Sequence, residues 1–187
     1  MILKTNRNYL TFVVLLLILV LGRTVPHPPN VTPLIGLMVF SSQVLKGSSF
    51  FWIPMLAMFV SDLFINNYIY SGYYADFQIL TPGFIWIYSP IILFAFLTKT
   101  KLFRSINFPK VLALSLSGST IFFLFSNFGV WISSGMYTLN LQGLVHCYVL
   151  AIPFYSNSII GDVFYSTSLY FAYKFSTEIS AAGLKKI

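Results

Sequence analysis

Apolar residues come in long unbroken blocks, separated by short polar or proline-rich stretches. The first block, Asn8–Gly22, runs from Val13 to Leu21 without a polar residue, and Pro26, Pro28 and Pro29 end it. Prolines remove a backbone donor and push the preceding residue into extended conformation. A second block covers Val31–Leu45 and stops at Lys46-Gly47, and a third covers Ser48–Phe64 with Pro54 inside it and Asp62 near its end. A polar, aromatic loop, Ile65–Leu80, precedes a fourth block, Pro82–Thr98. The basic loop Lys99–Lys110 leads to a fifth, Val111–Phe128. Beyond it, Gly129–Asn140 reads as a loop, Leu141–Pro153 as a short apolar helix, and Asn157–Phe175 as a sixth block.

About 20 apolar residues cross the hydrocarbon core, fewer when flanking side chains snorkel. The blocks are continuous, whereas barrel strands would alternate over about ten residues. The pattern therefore predicts an all-α, polytopic membrane helix bundle. It has about six transmembrane helices plus a short helix, Leu141–Pro153, at the outer face. The whole chain, 1–187, reads as one integral membrane domain.

Composition agrees. Apolar residues make up 57% of the 187 residues and charged residues only 8%, against about 25% charged in a soluble domain. Mean hydropathy is +0.82. The net charge of +7 could suggest nucleic acid. However, the basic residues cluster at the ends of apolar blocks: Lys4 and Arg7, Lys99 to Lys110, and Lys174 with Lys185 and Lys186. That is the distribution of topology signals, and no nucleic-acid partner is expected. Positive-inside counting puts both termini in the cytoplasm and leaves the residues after Phe128 outside. Leu141–Phe175 then crosses once, which is why Leu141–Pro153 is assigned to the outer face. The localisation expected is the cell's inner membrane. Residues 10–21 could also form a signal peptide, but no Ala-x-Ala-like site follows, so a retained anchor is expected.

Few residues carry chemistry. Arg23 is the basic residue that this topology leaves outside, at the end of the first span. It runs against the charge bias, so a partner is expected. Asp62 and Asp162 lie near outer span ends, and ionisable groups at membrane depth pair or line a polar cavity. Arg23 could staple helices through Asp62 or Asp162, or these groups could line a ligand pocket. His27 sits in a rigid proline turn and could contact a ligand. Asn127 and Trp131 share a helix face at i, i+4, although Trp also anchors at headgroup depth. Ser158 and Asp162 share the same spacing, and Asn157 or Ser158 could instead cap the start of the sixth span. Cys147 is the single cysteine, which excludes an intrachain disulfide. It reads as a small buried residue, and with His146 it makes no structural zinc site. No catalytic or nucleotide motif is present and the chain has four acids, so no enzyme is expected. The identity of any cofactor is left open.

The residues Arg23, Pro26-His27-Pro28-Pro29-Asn30-Val31-Thr32-Pro33, Ser61-Asp62, Ser126-Asn127-Phe128-Gly129-Val130-Trp131, Cys147-Tyr148, Pro153-Phe154 and Asn157-Ser158-Ile159-Ile160-Gly161-Asp162 carry a resemblance. Over about Arg23 to Tyr170 the chain resembles an uncharacterised bacterial family of small multi-span membrane proteins. More distantly, it resembles the substrate-binding subunits of energy-coupling-factor vitamin transporters. That likeness implies six helices and an outward pocket closed by Arg23–Asn30, Ile65–Leu80 and Gly129–Ser156. Such subunits carry an Ala-x-x-x-Ala face on the first helix, and span one here has no alanine. A solitary uptake protein, or a protein with another role, fits better than one coupled to a standard energising module. The expected function is binding or uptake of a vitamin-like small molecule, with Arg23, His27, Asn127, Trp131, Asn157 and Asp162 in or supporting the pocket. The alternative is an accessory subunit of a larger membrane complex, suggested by 20 Phe and 12 Tyr, many of which must face lipid or partner helices.

Overall fold

A computed structural model describes residues 13–14, 16–45, 47–100 and 107–184, with side chains up to residue 176. It is all-helical, with six helices and no strand among the described residues. Helix α1 is described at 13–14 and 16–24. It is followed by α2 (Leu34–Val44), α3 (Ser49–Phe64, extended by a π-turn, Ile65–Ile69), α4 (Phe84–Thr98), α5 (Phe108–Ser133) and α6 (Leu141–Leu184).

Side-chain ties fix the direction of each helix. Arg23, at the end of α1, reaches Met58, Ser61 and Asp62 near the end of α3. Tyr88, near the start of α4, reaches the same Asp62. At the opposite end, Lys99 after α4 donates to the Ser42 carbonyl near the end of α2 and lies over the Phe50 ring at the start of α3. Trp86 meets Phe128, and Phe108 meets Tyr170 and Phe171, so α4, α5 and α6 alternate as well. The chain thus runs up and down through one bundle. Below, the "Arg23 end" and the "Lys99 end" name its two faces.

Helix α2 is the axle. It packs against α3, α4, α5 and α6, and most of its residues, from Leu34 to Ser42, are buried. Close approach is what makes this possible. A side chain at Gly36 would meet the Ser166 backbone nitrogen at 2.9 Å, and one at Gly118 would meet Ile35 at 2.6 Å. Small residues of this kind let helices pack where lipid removes the hydrophobic drive. Being wrapped on every side, α2 can be short. Its 11 residues rise only about 16 Å. Pro33 precedes it, and extended Leu45 (ψ 141°) ends it.

Length separates the helices from the six spans expected. Three stretches are long and apolar enough to cross a bilayer: Ser49–Ile69, Phe108–Ser133 and Leu141–Ser176. Helices α2 and α4 are shorter apolar helices, cut back by Pro33 and by Gly83, which enters α4 at φ 73°. Residues 8–12 and 15 of the first block lie outside the described residues, as do Lys4, Arg7, Lys46, Lys101, Arg104, Lys185 and Lys186.

Several boundaries differ from those read in the sequence: the loop expected from Ile65 is helical through Ile69, and α5 starts at Phe108. Leu141–Pro153 is not a separate outer helix. It is the first part of a continuous 44-residue α6 with Pro153 inside. Proline is tolerated in such helices when nearby hydroxyls and neighbours satisfy the freed backbone groups. One turn on, Ser156 Oγ donates back to the Ile152 carbonyl at 3.2 Å, and the helix runs on past the proline. The loop expected from Gly129 begins later, because α5 continues to Ser133. Ser133 Oγ bonds back to the Gly129 carbonyl at 2.6 Å, and only at Gly135, with φ 72°, does the chain turn.

Candidate functional site

Two polar constructions lie toward the Arg23 end. The first is an ion pair. Arg23 Nη2 is 2.6 Å from Asp62 Oδ1, with the side chains 16% and 7% exposed. Arg23 Nη1 also donates to the Met58 carbonyl at 3.1 Å and to Ser61 Oγ. Tyr88 donates its hydroxyl to Asp62 Oδ2 at 2.6 Å. Buried Asn66 donates to Thr81, which itself lies near Asp62. Asn67 closes the loop after α3 by exchanging bonds with the Gln78 backbone at 2.7 and 2.8 Å. Together these bonds tie α1, α3, the 65–81 loop and α4. A charged pair this buried is tolerable because both partners hold further hydrogen bonds, Arg23 to Met58 and Ser61 and Asp62 to Tyr88.

The second is a cavity of about 660 Å³ between α4, α5, α6 and the turn at Pro29-Asn30. Trp86 and Ile87 come from α4, Phe122, Ser126 and Asn127 from α5, and Cys147, Ala151 and Phe154 from α6, with Tyr137 entering from the loop. Asn30 holds its corner in the left-handed region, φ 68°, a conformation that asparagine tolerates better than most residues. Gly129 is required under Trp86, since a side chain there would meet the indole at 2.2 Å. None of the lining residues is Asp, Glu, Lys, Arg or His. The size lies within the range of small-molecule pockets.

Asn127 lines this cavity; its amide donates to the Phe123 carbonyl at 2.8 Å. Trp131 is not among the lining residues. Its indole N–H donates to the Thr138 carbonyl at 3.0 Å, closing the loop after α5. Arg23 is taken up by Asp62. His27 folds back on its own turn, with Nδ1 2.8 Å from the Pro28 carbonyl oxygen and Nε2 3.4 Å from that of Arg23. Asn157 is half-buried in the middle of α6. Neither it nor Ser158 caps a helix start. Asn140 does so for α6, accepting from Gly143 N at 2.9 Å. Asp162 is 3% exposed and meets Ser119 of α5, not Arg23.

The six expected site residues thus do not converge on one site, and only Asn127 lines the cavity. The aromatic lining of Trp86 and Phe122 carries no signal in the sequence, because each looks like one more apolar residue in its block, and Tyr137 looks like one more loop residue. Cys147 was read as a small buried residue. It is 2% exposed and also faces the cavity, with Sγ 3.4 Å from the Asn127 carbonyl oxygen. Among the described residues no group of three or more His, Cys, Asp or Glu could hold a metal.

No curated protein and no solved structure matches the chain. No comparison links it to the substrate-binding subunits of vitamin transporters. One family model matches residues 3–182, nearly the full length, and by that match the chain belongs to DUF6580, a family of unknown function.

Proposed function

We propose that this protein is a six-pass membrane protein that binds a small neutral molecule from the outer side, as the binding step of uptake. The observation that carries the reading is the cavity of about 660 Å³. A space of that size beside Trp86, Phe122 and Phe154, with Ser126, Asn127 and Tyr137 as polar contacts, suits a molecule with an aromatic or apolar body and a few hydrogen-bonding groups. A lining without ionisable Asp, Glu, Lys, Arg or His offers no counter-charge, so a carboxylate or phosphate ligand would lose hydration without compensation.

Orientation follows from charge. Lys99, Lys110 and Lys174 lie toward the end opposite Arg23, and the positive-inside rule makes that end cytoplasmic. Both termini are then cytoplasmic and the cavity opens outward. The short α2 can cross because it is lined by protein and not by lipid, and the 15-residue α4 rises about 22 Å, a shortfall that flanking side chains and local thinning accommodate.

Native mass spectrometry of the full-length protein, gently solubilised, tests this reading. Buried Ala151 borders the cavity, so Ala151→Phe fills it. The expected result is a neutral compound retained by the wild type and lost from Ala151→Phe at unchanged protein yield. Retention of no compound, or equal retention by both, refutes the cavity as a binding site. A stoichiometric protein partner in place of a ligand would turn the reading to an accessory subunit of a larger complex.

A further inference from the structure

Asp162 is buried in the bundle at 3% exposure, and its one hydrogen-bond partner among the described residues is the Ser119 hydroxyl at 2.6 Å. That hydroxyl has a single proton, and it also lies 3.1 Å from the Ser115 carbonyl. It can donate to one of them, not both. An ionised Asp162 would hold at most this one donor where a buried carboxylate requires several, or a cation. No cation faces it. Helix α2 has no titratable residue, and the only one on α5 is Lys110, nine positions before Ser119 and about 13 Å lower along the helix. Arg23 on α1 is held by Asp62, and Tyr165, the nearest titratable neighbour along α6, turns its hydroxyl toward Gly22. A protonated carboxyl removes the conflict: Asp162 donates to Ser119 Oγ, and Ser119 donates to the Ser115 carbonyl.

A second observation continues the line. Ser166, one turn further along α6, has a hydroxyl that is buried without a hydrogen-bond partner, the one such side-chain atom among the described residues. It borders a space of about 20 Å³ beside Gln43, Tyr170 and Tyr173, room for about one water. That space lies at the Lys99 end, where Lys99 meets Ser42, and Tyr173 beside it is 40% exposed.

We infer that Asp162 is a proton-binding site inside the bundle, loaded from the Lys99 end through Ser166 and the water-sized space beside it. The proton moves from solvent at that end to the carboxylate and returns the same way, with no bond change elsewhere. The site is separate from the ligand cavity and does not depend on it.

Infrared difference spectra of the full-length protein in lipid nanodiscs, taken between acidic and alkaline buffer at fixed sodium, test the assignment. The expected result is a protonated-carboxyl band that comes and goes with pH, is lost in Asp162→Asn and persists in Asp62→Asn. In Ser166→Ala the band stays, but its exchange after a switch to D2O slows. The assignment is overturned by a band unaffected by Asp162→Asn, by a band that never titrates, or by one that follows sodium and not pH. Should Asp162→Asn fail to assemble, Ser119→Ala must move the midpoint of the band, and an unmoved midpoint overturns the assignment equally.

Discussion

Replacing Asp62 by alanine removes the partner of Arg23 and leaves the cation in place. Deleting one member of a buried ion pair costs about 3–5 kcal/mol in general. Two features put this site at the lower end. The Arg23 side chain keeps 16% exposure, so part of its charge can reach toward the headgroups. It also keeps the Met58 carbonyl and Ser61 hydroxyl as acceptors. Against that, Tyr88 loses its acceptor. A cost of about 3 kcal/mol corresponds to roughly 6–12 °C in melting temperature for a chain of this size. The assay is thermal unfolding in mild detergent, followed by tryptophan fluorescence, on Asp62→Ala, Asp62→Leu, Arg23→Met and the double variant Arg23→Met/Asp62→Leu. Replacing both partners by apolar groups removes charge and counter-charge together, so the double variant should fall within about 1 kcal/mol of wild type. The argument fails if Asp62→Ala melts within about 2 °C of wild type, about 0.5–1 kcal/mol for the pair. It also fails if the loss in the double variant equals the sum of the single losses, since that leaves no coupling.

Gly36→Leu should cost at least about 1–3 kcal/mol, because its side chain meets the Ser166 backbone nitrogen and Tyr165 Cβ at 2.9 Å. Gly72→Ala, with nothing within 4 Å, is the control, and equal melting temperatures for the two would refute α2–α6 contact. Lys99→Met should cost under about 1 kcal/mol, since Lys99 is exposed although it bonds the Ser42 carbonyl at 2.6 Å. A loss as large as that of Asp62→Ala would contradict the difference drawn between the two ends. Trp131→Phe should leave ligand retention unchanged while freeing the Thr138 carbonyl, and loss of retention would return Trp131 to the pocket.

What the sequence yields and what it withholds have separate physical causes. Helix starts and stops are local, and the Pro26-to-Pro33 turn could be read from residue types alone. The continuity of α6 could not. Thirteen apolar residues ending at Pro153 match a short interfacial helix as well as half of a long one, and what carries the helix through is backbone bonding that residue type does not announce. The partner of Arg23 was also out of reach. Asp62 and Asp162 both sit near outer span ends, and only packing decides between them. Gly22 lets α1 close on Pro33, where a side chain would meet the ring at 2.7 Å, and that brings Arg23 to the end of α3. The cavity is a property of three helices at once, so no single apolar block contains its signal.

The two buried acids make the same point from the side of energetics. Asp62 has a guanidinium, a phenol and a threonine hydroxyl around it and binds three helices and a loop together. Asp162 has one serine. If both were structural, the bundle would hold one fully compensated carboxylate and one nearly uncompensated, and the second would cost more than its single hydrogen bond returns. A neutral Asp162 avoids that cost, but an asparagine there would also avoid it without any need to bind a proton. Retaining a carboxyl makes physical sense where its charge state is used. The orphaned Ser166 hydroxyl, which costs free energy of its own, sits one turn away on the side from which a proton would come.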